Sequence, residues 1–339
     1  MDMSCVGRWG IALSLAFLVT AAGGAAQPAP ELEPYAVVVF DDALIQFTSD
    51  DSVGFDRGEV EADDKGRVIR RTVALPEDDG PVTIIAHLAI RPIPKDDVSM
   101  YDHWDRAGDV RLVSDDGVDV EIVKFVTAYG GATEYDIYVS HLAPLLRGRQ
   151  TIAAFIDTWV APAWQVDFSL EYFPAEYDGS LWAEGVFFEE SFNHAVYGDT
   201  GAMVTVEIPD EGERVLLYYF VSGHCTDGRG ADEFEPKDNV IRVDGVPVYR
   251  YRPWRDDCEQ FRAINPYCRK WSDGYWSSDY SRSGWCPGDY VEPLVLDLSD
   301  HLTPGVHTIR FSIEDIRPED EDGHFGYWRV SAFVVGESR

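Results

Sequence analysis

Three acids stand in settings that could do chemistry. The first is Asp105, in the run Tyr101-Asp102-His103-Trp104-Asp105-Arg106, which leads straight into the apolar stretch from Ala107 to Val113. An acid between Trp104 and Arg106 at the mouth of a strand is unusual for a plain surface. A neighbouring arginine lowers a carboxyl pKa and keeps it charged, and an indole offers a flat face on which a sugar ring can stack. Local evidence alone favours a plainer interpretation, in which the acid pairs with Arg106 to tie down a loop.

The second acid is Asp157, in Phe155-Ile156-Asp157-Thr158-Trp159. Strand alternation puts Phe155, Asp157 and Trp159 on one face. The pattern by itself favours solvation of a sheet edge over a site. The third is Glu233, near the end of a loop that starts at Ser222-Gly223-His224-Cys225 and follows the apolar run Val215 to Val221. Its three glycines suit a backbone that approaches something closely; the bland alternative is a flexible acidic surface loop. A fourth segment, Ser281-Arg282-Ser283-Gly284-Trp285-Cys286-Pro287-Gly288, closes a long stretch from Cys258 with little strand pattern. That stretch carries Trp271, Tyr275, Trp276, Tyr280 and Trp285, and long ordered loops in compact domains are usually functional.

The elements that must position these residues are short strands. The runs Ala36 to Phe40 and Val82 to Ile90 are β-rich and bounded by Asp, Gly and Pro. Val120 to Val126, Tyr135 to Val139 and Thr151 to Trp159 follow, and Val166 to Tyr172 alternates cleanly. No stretch has the period of a long amphipathic helix; Ser140 to Leu146 suits a single helical turn. The pattern breaks at Pro174–Gly179, where a domain boundary is expected. A second β series runs through Leu181–Phe188, Ala202–Ile208, Arg214–Ser222, a hairpin over 240–249 with an Asp244-Gly245 turn, Val291–Leu298, Val306–Ile313 and Tyr327–Val335. The sequence therefore predicts an all-β protein of two sandwich or jelly-roll domains, over 33–173 and 179–339.

Residues 1 to 26 read as a secretory signal, with Arg8, an apolar run from Ile11 to Ala22 and small residues up to Ala26. Cleavage near Ala26 and a secreted or periplasmic location are expected. The apolar run is too short to span a bilayer as a mature helix, and no later segment replaces it. The formal net charge is −33, and such a surface repels nucleic acid and anionic lipid. Export makes disulfides among Cys225, Cys258, Cys268 and Cys286 the expectation, and spacing leaves all three pairings open. There is no CxxC and no HExxH, so no metal or other cofactor is expected. An acidic run, Glu319 to Gly323, could hold calcium, but a solvated turn is the better reading.

The Trp-Asp-Arg run resembles the active-site segment of the peptide-N-glycosidase F family, amidases that remove N-linked glycans from asparagine. The Arg282-Ser283-Gly284-Trp285-Cys286-Pro287-Gly288 run matches that family's Arg-Ala-Gly-Trp-Cys-Pro-Gly at six of seven positions. The resemblance covers nearly the whole secreted chain. It implies two eight-stranded jelly rolls packed side by side, an architecture shared with copper monooxygenases, which need clusters of His plus a Met ligand; no His-His pair exists here. It implies Asp105 as the water-activating acid, Glu233 as the acid assisting at the amide, and Asp157 as the acid that orients water or the Asp105 network. Trp104, Arg106, Trp159, His224, Arg282 and Trp285 would line the substrate cleft. The resemblance also implies a Cys258–Cys286 disulfide, which leaves Cys225–Cys268 as the second. The chain departs from the family in Asp157, where the family has Glu, in Phe234, where it has Trp, and in Ala231 and Glu235, which replace a loop disulfide. The disulfide near the catalytic Asp is missing as well.

Hydrolysing a glycosylated asparagine amide needs water made nucleophilic and a leaving nitrogen made protonatable. One ionised and one protonated carboxyl supply both. The expected partner is an N-linked glycan or glycoprotein, with no nucleic acid and no membrane, and a monomer is expected. The alternative is a carbohydrate-binding double jelly roll without catalysis, but binding alone does not need convergent acids.

Overall fold

The computed structural model describes residues 34–49, 59–77, 80–115, 117–175, 179–227 and 232–338. The expected signal segment lies outside them, as do Ala231 and residues 176–178 of the expected boundary. Residues Glu33–Arg339 form one compact unit. Among the described residues no helix is long and apolar enough to cross a membrane.

Among the described residues, four larger antiparallel sheets build the molecule, with a small two-stranded one pairing Pro94–Asp96 and Ser99–Met100. The first has the order Tyr35–Ile45, Trp164–Pro174, Val82–Pro92, Thr133–Tyr138. Its two central strands alternate strictly between buried and half-buried side chains: Val166, Phe168, Leu170 and Tyr172 point inward from one, Ile84, Ala86, Leu88 and Ile90 from the other. A period of two with one apolar face is what a strand covering a core requires. The second sheet has six strands, in the order Tyr290–Val291, Val120–Val126, Ala107–Val113, Arg149–Ile156, Val68–Ala74, Glu61–Asp63. One apolar core joins these two sheets and reaches Tyr218, Phe220 and Phe333 of the third.

The third sheet runs Ser180–Asn193, Gly326–Glu337, Arg214–Cys225, Leu294–Asp297, and the fourth runs Ala202–Ile208, Gly305–Ile313, Asn239–Val243, Val246–Tyr251. A second core fills the space between them. The hairpin turn at Asp244-Gly245 has positive φ at both residues, 49° and 81°, as a two-residue turn matched to strand twist needs. Ser140–Leu142 is a single 3-10 turn.

Two details of the pairing bear on the site. Tyr290–Val291 comes from the second series of strands yet forms the edge of the first sandwich, opposite Phe125 and Lys124. The expected continuous strand Val291–Leu298 is split at Pro293 as a result. Between the second and third sheets lies a buried ionic lattice. Arg329 donates to Asp109 at 2.7 Å and to Glu190 at 3.2 Å, Arg111 holds Asp109 and Asp119, Lys124 holds Glu121 at 3.1 Å, and Ser331 donates to Glu121. Buried charges persist only when paired, and these pairs join strands of both sandwiches.

Candidate active site

Asp105 owes its position to Asp102. The Asp102 side chain is fully buried and accepts Arg106 Nε at 2.9 Å, Arg106 Nη2 at 3.2 Å, Thr158 Oγ1 at 2.6 Å, Trp164 Nε1 at 3.4 Å and the Trp104 amide at 3.2 Å. Arg106 is therefore taken by Asp102, four residues back, and not by Asp105. Thr127 locks the same turn: its hydroxyl accepts the Arg106 amide at 2.8 Å and donates to the Trp104 carbonyl at 3.2 Å. With the backbone clamped, the Asp105 carboxyl faces a cleft of about 600 Å³. Its pKa is raised above the ordinary aspartate value. Burial outweighs the opposing charge of Arg282, a hydrogen bond from Tyr129 and the charge of Arg106. The expectation that the adjacent arginine depresses this carboxyl is thus reversed.

Arg282 stands behind the acids. It is buried, with Nη2 3.6 Å from Asp105 Oδ2 and Nε 3.3 Å from Glu233 Oε1. Its remaining donors go to the Tyr280 carbonyl at 2.9 Å, the Ser277 carbonyl at 2.7 Å and the Tyr129 hydroxyl at 3.4 Å. Phe234 and Trp285 lie against the guanidinium, at 4.9 and 4.8 Å. A cation held this way is rigid and desolvated. It supports the carboxyls from the protein side and does not line the cleft.

Glu233 is fixed by its neighbours. Asp232 accepts Trp328 Nε1 at 3.1 Å and the Arg317 amide at 3.0 Å, and Ser283 N–H donates to the Glu233 carbonyl at 2.9 Å. Gly326 is required here, because a β-carbon at that position would fall 1.5 Å from Asp232 Oδ2. Cys225 donates its thiol to Glu233 Oε2 at 3.3 Å. The Glu233 pKa is pushed up to about 7, first by burial and then by the Asp105 charge, against the pull of Arg282. Two carboxyls around one guanidinium cannot both ionise easily, and they divide the proton between them.

Asp157 lines the same cleft from the far end of the Arg149–Ile156 strand. Its amide bonds the Ala107 carbonyl at 2.9 Å, next to the Asp105 turn, and its carboxylate takes Arg67 at 3.0 Å. Arg67 also covers one face of Trp159, at 4.7 Å. Trp159 is 56% exposed and is the open ring on this wall. His224 is buried between Trp285 and Tyr327, with ring centroids 5.4 and 5.3 Å away, and Nε2 meets Ser222 Oγ at 2.8 Å. Burial, aided by the charges of Arg329, Lys124 and Arg282, holds its pKa well below the usual histidine range, so the ring is neutral.

Three expectations need correction: Arg282 and Trp104 do not line the cleft, and the second disulfide is not formed. Trp285 does line it, as expected, but is only 2% exposed; Arg282 and His224 lie against its ring, and Nε1 donates to the Gly223 carbonyl at 2.8 Å. Trp104 is 48% exposed but turns away from the cleft into a neighbouring hollow. Cys225 and Cys268 are not joined. The Cys225 thiol points at Glu233, and Cys268 is fixed in a turn by its amide bond to the Asn265 carbonyl at 3.1 Å. The Cys258–Cys286 disulfide is present, with Cα atoms 5.2 Å apart. The acidic turn places Asp320 and Asp227 beside His324, 3.6 and 3.9 Å from Nδ1, with Arg317 already on Asp227 at 2.9 Å.

Sequence reasoning passed over Tyr129, Asp102 and Arg67. Tyr129 sits just past the Val120–Val126 strand, before Gly130-Gly131. A tyrosine and two glycines at a strand end, like an Asp four residues before an Arg, are the signals that were there to find.

Comparison with known proteins bears on the fold. Residues 191–335 match the family described as peptide-N-glycosidase F, C terminal. The solved structure of PNGF-II superposes with a TM-score of 0.80 at 24% identity, covering 90% of this chain and 65% of that one. PNGase F, a glycosylasparaginase from Flavobacterium meningosepticum, superposes with a TM-score of 0.68 at 20% identity, covering 90% of this chain and 96% of that one. The chain spans just under two thirds of PNGF-II. No curated protein matches it. Residues 191–335 are thus similar to the C-terminal part of the peptide-N-glycosidase F family, and the fold is the double jelly roll of the PNGase F structures.

Proposed function

We propose that this protein is an exported amidase that hydrolyses the bond between an N-linked glycan and its asparagine. The observation that carries the reading is Arg282, 3.6 Å from Asp105 and 3.3 Å from Glu233 at the back of the cleft. It gives two carboxyls one fixed counter-charge and leaves one proton between them near neutral pH.

Asp105, ionised beside Arg282, takes a proton from water as the water oxygen attacks the asparagine side-chain carbonyl. Glu233, whose pKa of about 7 keeps it in part protonated near neutral pH, hydrogen-bonds the amide in that form and delivers its proton to the leaving nitrogen. The carbon–nitrogen bond breaks, the peptide keeps a new aspartate, and the glycan leaves as a glycosylamine. Water then releases ammonia from that amine without help from the protein. Asp157, held by Arg67, orients the water. Trp159 stacks on a sugar ring, and Arg106, locked by Asp102, meets the substrate's polar groups from the cleft wall.

The test is incubation with a denatured N-glycoprotein, followed by mass spectrometry of the peptides. Conversion of glycosylated Asn to Asp is the expected result. A single N-acetylglucosamine left on asparagine would mean a glycosidase of another class. Retention on glycan without cleavage would mean a binding module.

A further inference from the structure

The amide cleaved in the proposed reaction joins two unlike arms, a hydroxyl-rich glycan and a polypeptide. An acid pair that works on it needs room for both. The cleft already described is rimmed by Asp157, Arg67, Glu190 and Arg329, groups suited to hydroxyls. A second hollow lies on the other side of the Asp105 turn. It encloses about 250 Å³ between the rings of His103, Trp104, Tyr129, Tyr267 and Trp271, with the exposed Arg269 at its rim. Trp104 and Asp105 are consecutive, yet the indole lines the hollow and the carboxyl lines the cleft.

Tyr129 is the partition between the two. It lines the hollow, hydrogen-bonds Asp105 and meets Arg282 Nη2 at 3.4 Å. The Ser277 carbonyl, on the hollow's wall, takes another Arg282 donor at 2.7 Å. The rings are braced. His103 stacks on Trp104 at 5.2 Å and packs on Tyr267 at 5.6 Å, and Tyr267 donates to the Val98 carbonyl at 2.6 Å. Trp271 packs on Tyr280 at 5.2 Å, and its amide bonds the Tyr275 carbonyl at 2.8 Å. Trp104 and Trp271 nevertheless stay about half exposed, 48% and 49%. Fixed, open rings one residue from a reactive acid form a receptor for something apolar.

We propose that this hollow receives the polypeptide arm of the substrate, holding an apolar side chain within one or two residues of the glycosylated asparagine. The proposal rests on the amidase reading. Size separates the two arms. Small-molecule sites run from roughly 300 to 1,000 Å³. The cleft, at about 600 Å³, falls inside that range, whereas the hollow, at about 250 Å³, falls below it. At ~30 Å³ per water the hollow holds about eight waters, room for one large side chain and not for a run of sugars. Reach agrees, because an extended peptide advances ~3.3 Å per residue, and the hollow begins at the residue next to Asp105.

The experiment compares two substrates: chitobiosyl-asparagine, and a chitobiosyl peptide with Phe or Leu beside the glycosylated residue. Wild type should prefer the peptide in kcat/KM. Trp271→Ala should cut that preference by about tenfold, the worth of one buried aromatic contact, mainly through KM, and Trp271→Tyr should restore most of it. A preference unmoved by Trp271→Ala, an equal fall on both substrates, or no preference in wild type overturns the proposal. If wild type cleaves neither substrate, the amidase reading fails separately, and the hollow is then read by binding. The unglycosylated peptide should quench tryptophan fluorescence in wild type and clearly less in Trp271→Ala, where Trp104 is the tryptophan left in the hollow. Quenching equal in the two proteins, no quenching at all, or quenching of Trp271 by free chitobiose overturns it.

Discussion

The thiol of Cys225 donates to Glu233 Oε2 at 3.3 Å while Arg282 holds Oε1 of the same carboxyl, also at 3.3 Å. Both contacts lower a pKa that burial has pushed up to about 7. If Glu233 must be protonated to serve the leaving nitrogen, kcat/KM falls as pH rises through about 7. Cys225→Ala removes one lowering contact, so the descending limb of the pH profile should move to higher pH. A profile that does not move assigns that limb to another group.

Glu233 also costs stability above its ordinary pKa. Its folded pKa is about 7 against 4.5 for an unperturbed glutamate. The native state therefore binds more protons than the unfolded state in between, and stability falls as pH rises from 4.5 to about 7. The difference is on the order of 3 kcal/mol. Glu233→Gln should melt higher than wild type at pH 8, by less at pH 5, and should be inactive. Thermal unfolding at the two pH values measures this.

Asp105→Asn should leave the fold intact, because the Asp102 and Thr127 contacts that shape the turn do not involve its side chain. Loss of a positioned base should lower turnover by ~10²–10⁴-fold. Glycan release by the Asp105→Asn variant at the wild-type rate would remove Asp105 from the mechanism.

Two tryptophans of the cleft should behave differently. Trp285 is buried against Arg282 and His224, and Trp285→Ala should cost ~3–5 kcal/mol of stability, the range for emptying a large core site. Trp159 is 56% exposed. Trp159→Ala should leave the melting temperature nearly unchanged and raise KM. Denaturant melts and steady-state kinetics on both variants separate the two roles.

Asp109 is fully buried between Arg111 and Arg329. Asp109→Ala leaves two buried guanidiniums each with one more peripheral acid, Arg111 with Asp119 and Arg329 with Glu190, and should cost ~3–5 kcal/mol, far more than removal of an exposed acid such as Asp136. A urea titration gives the comparison.

The strands were legible where one face is apolar. Val166 to Tyr172 alternates because it covers a core, and the same pattern recurs in the structure. The Asp244-Gly245 turn was legible from its dipeptide alone. The Cys258–Cys286 pairing was legible only through the family's Trp-Cys-Pro-Gly run. What could not be read was which partner each charged group would choose. Arg106 lies beside Asp105 in sequence but binds Asp102, because the bend at 102–106 brings that buried carboxylate beneath it. The Asp105 pKa could not be read either, since its direction is set by burial, and burial comes from residues far along the chain. The resemblance placed Trp285 in the cleft, where it is found, but how little of its ring stays open could not be read, because Arg282 and His224 lie against it. Export, if it occurs, would give the Cys225 thiol an ordinary reason to pair, but its strand delivers it to Glu233.

The two-residue strand Tyr290–Val291 crosses from the second series to close the edge of the first sandwich beside Val120–Val126. During synthesis that edge stays open until residue 291 has left the ribosome, long after the rest of its sheet. An open strand edge is a template for pairing with another chain, so the nascent protein passes through an interval in which its first half is complete in composition but unsealed. A fragment ending near residue 175 would remain in that condition permanently. The last stitch of the first half is thus sewn by the second.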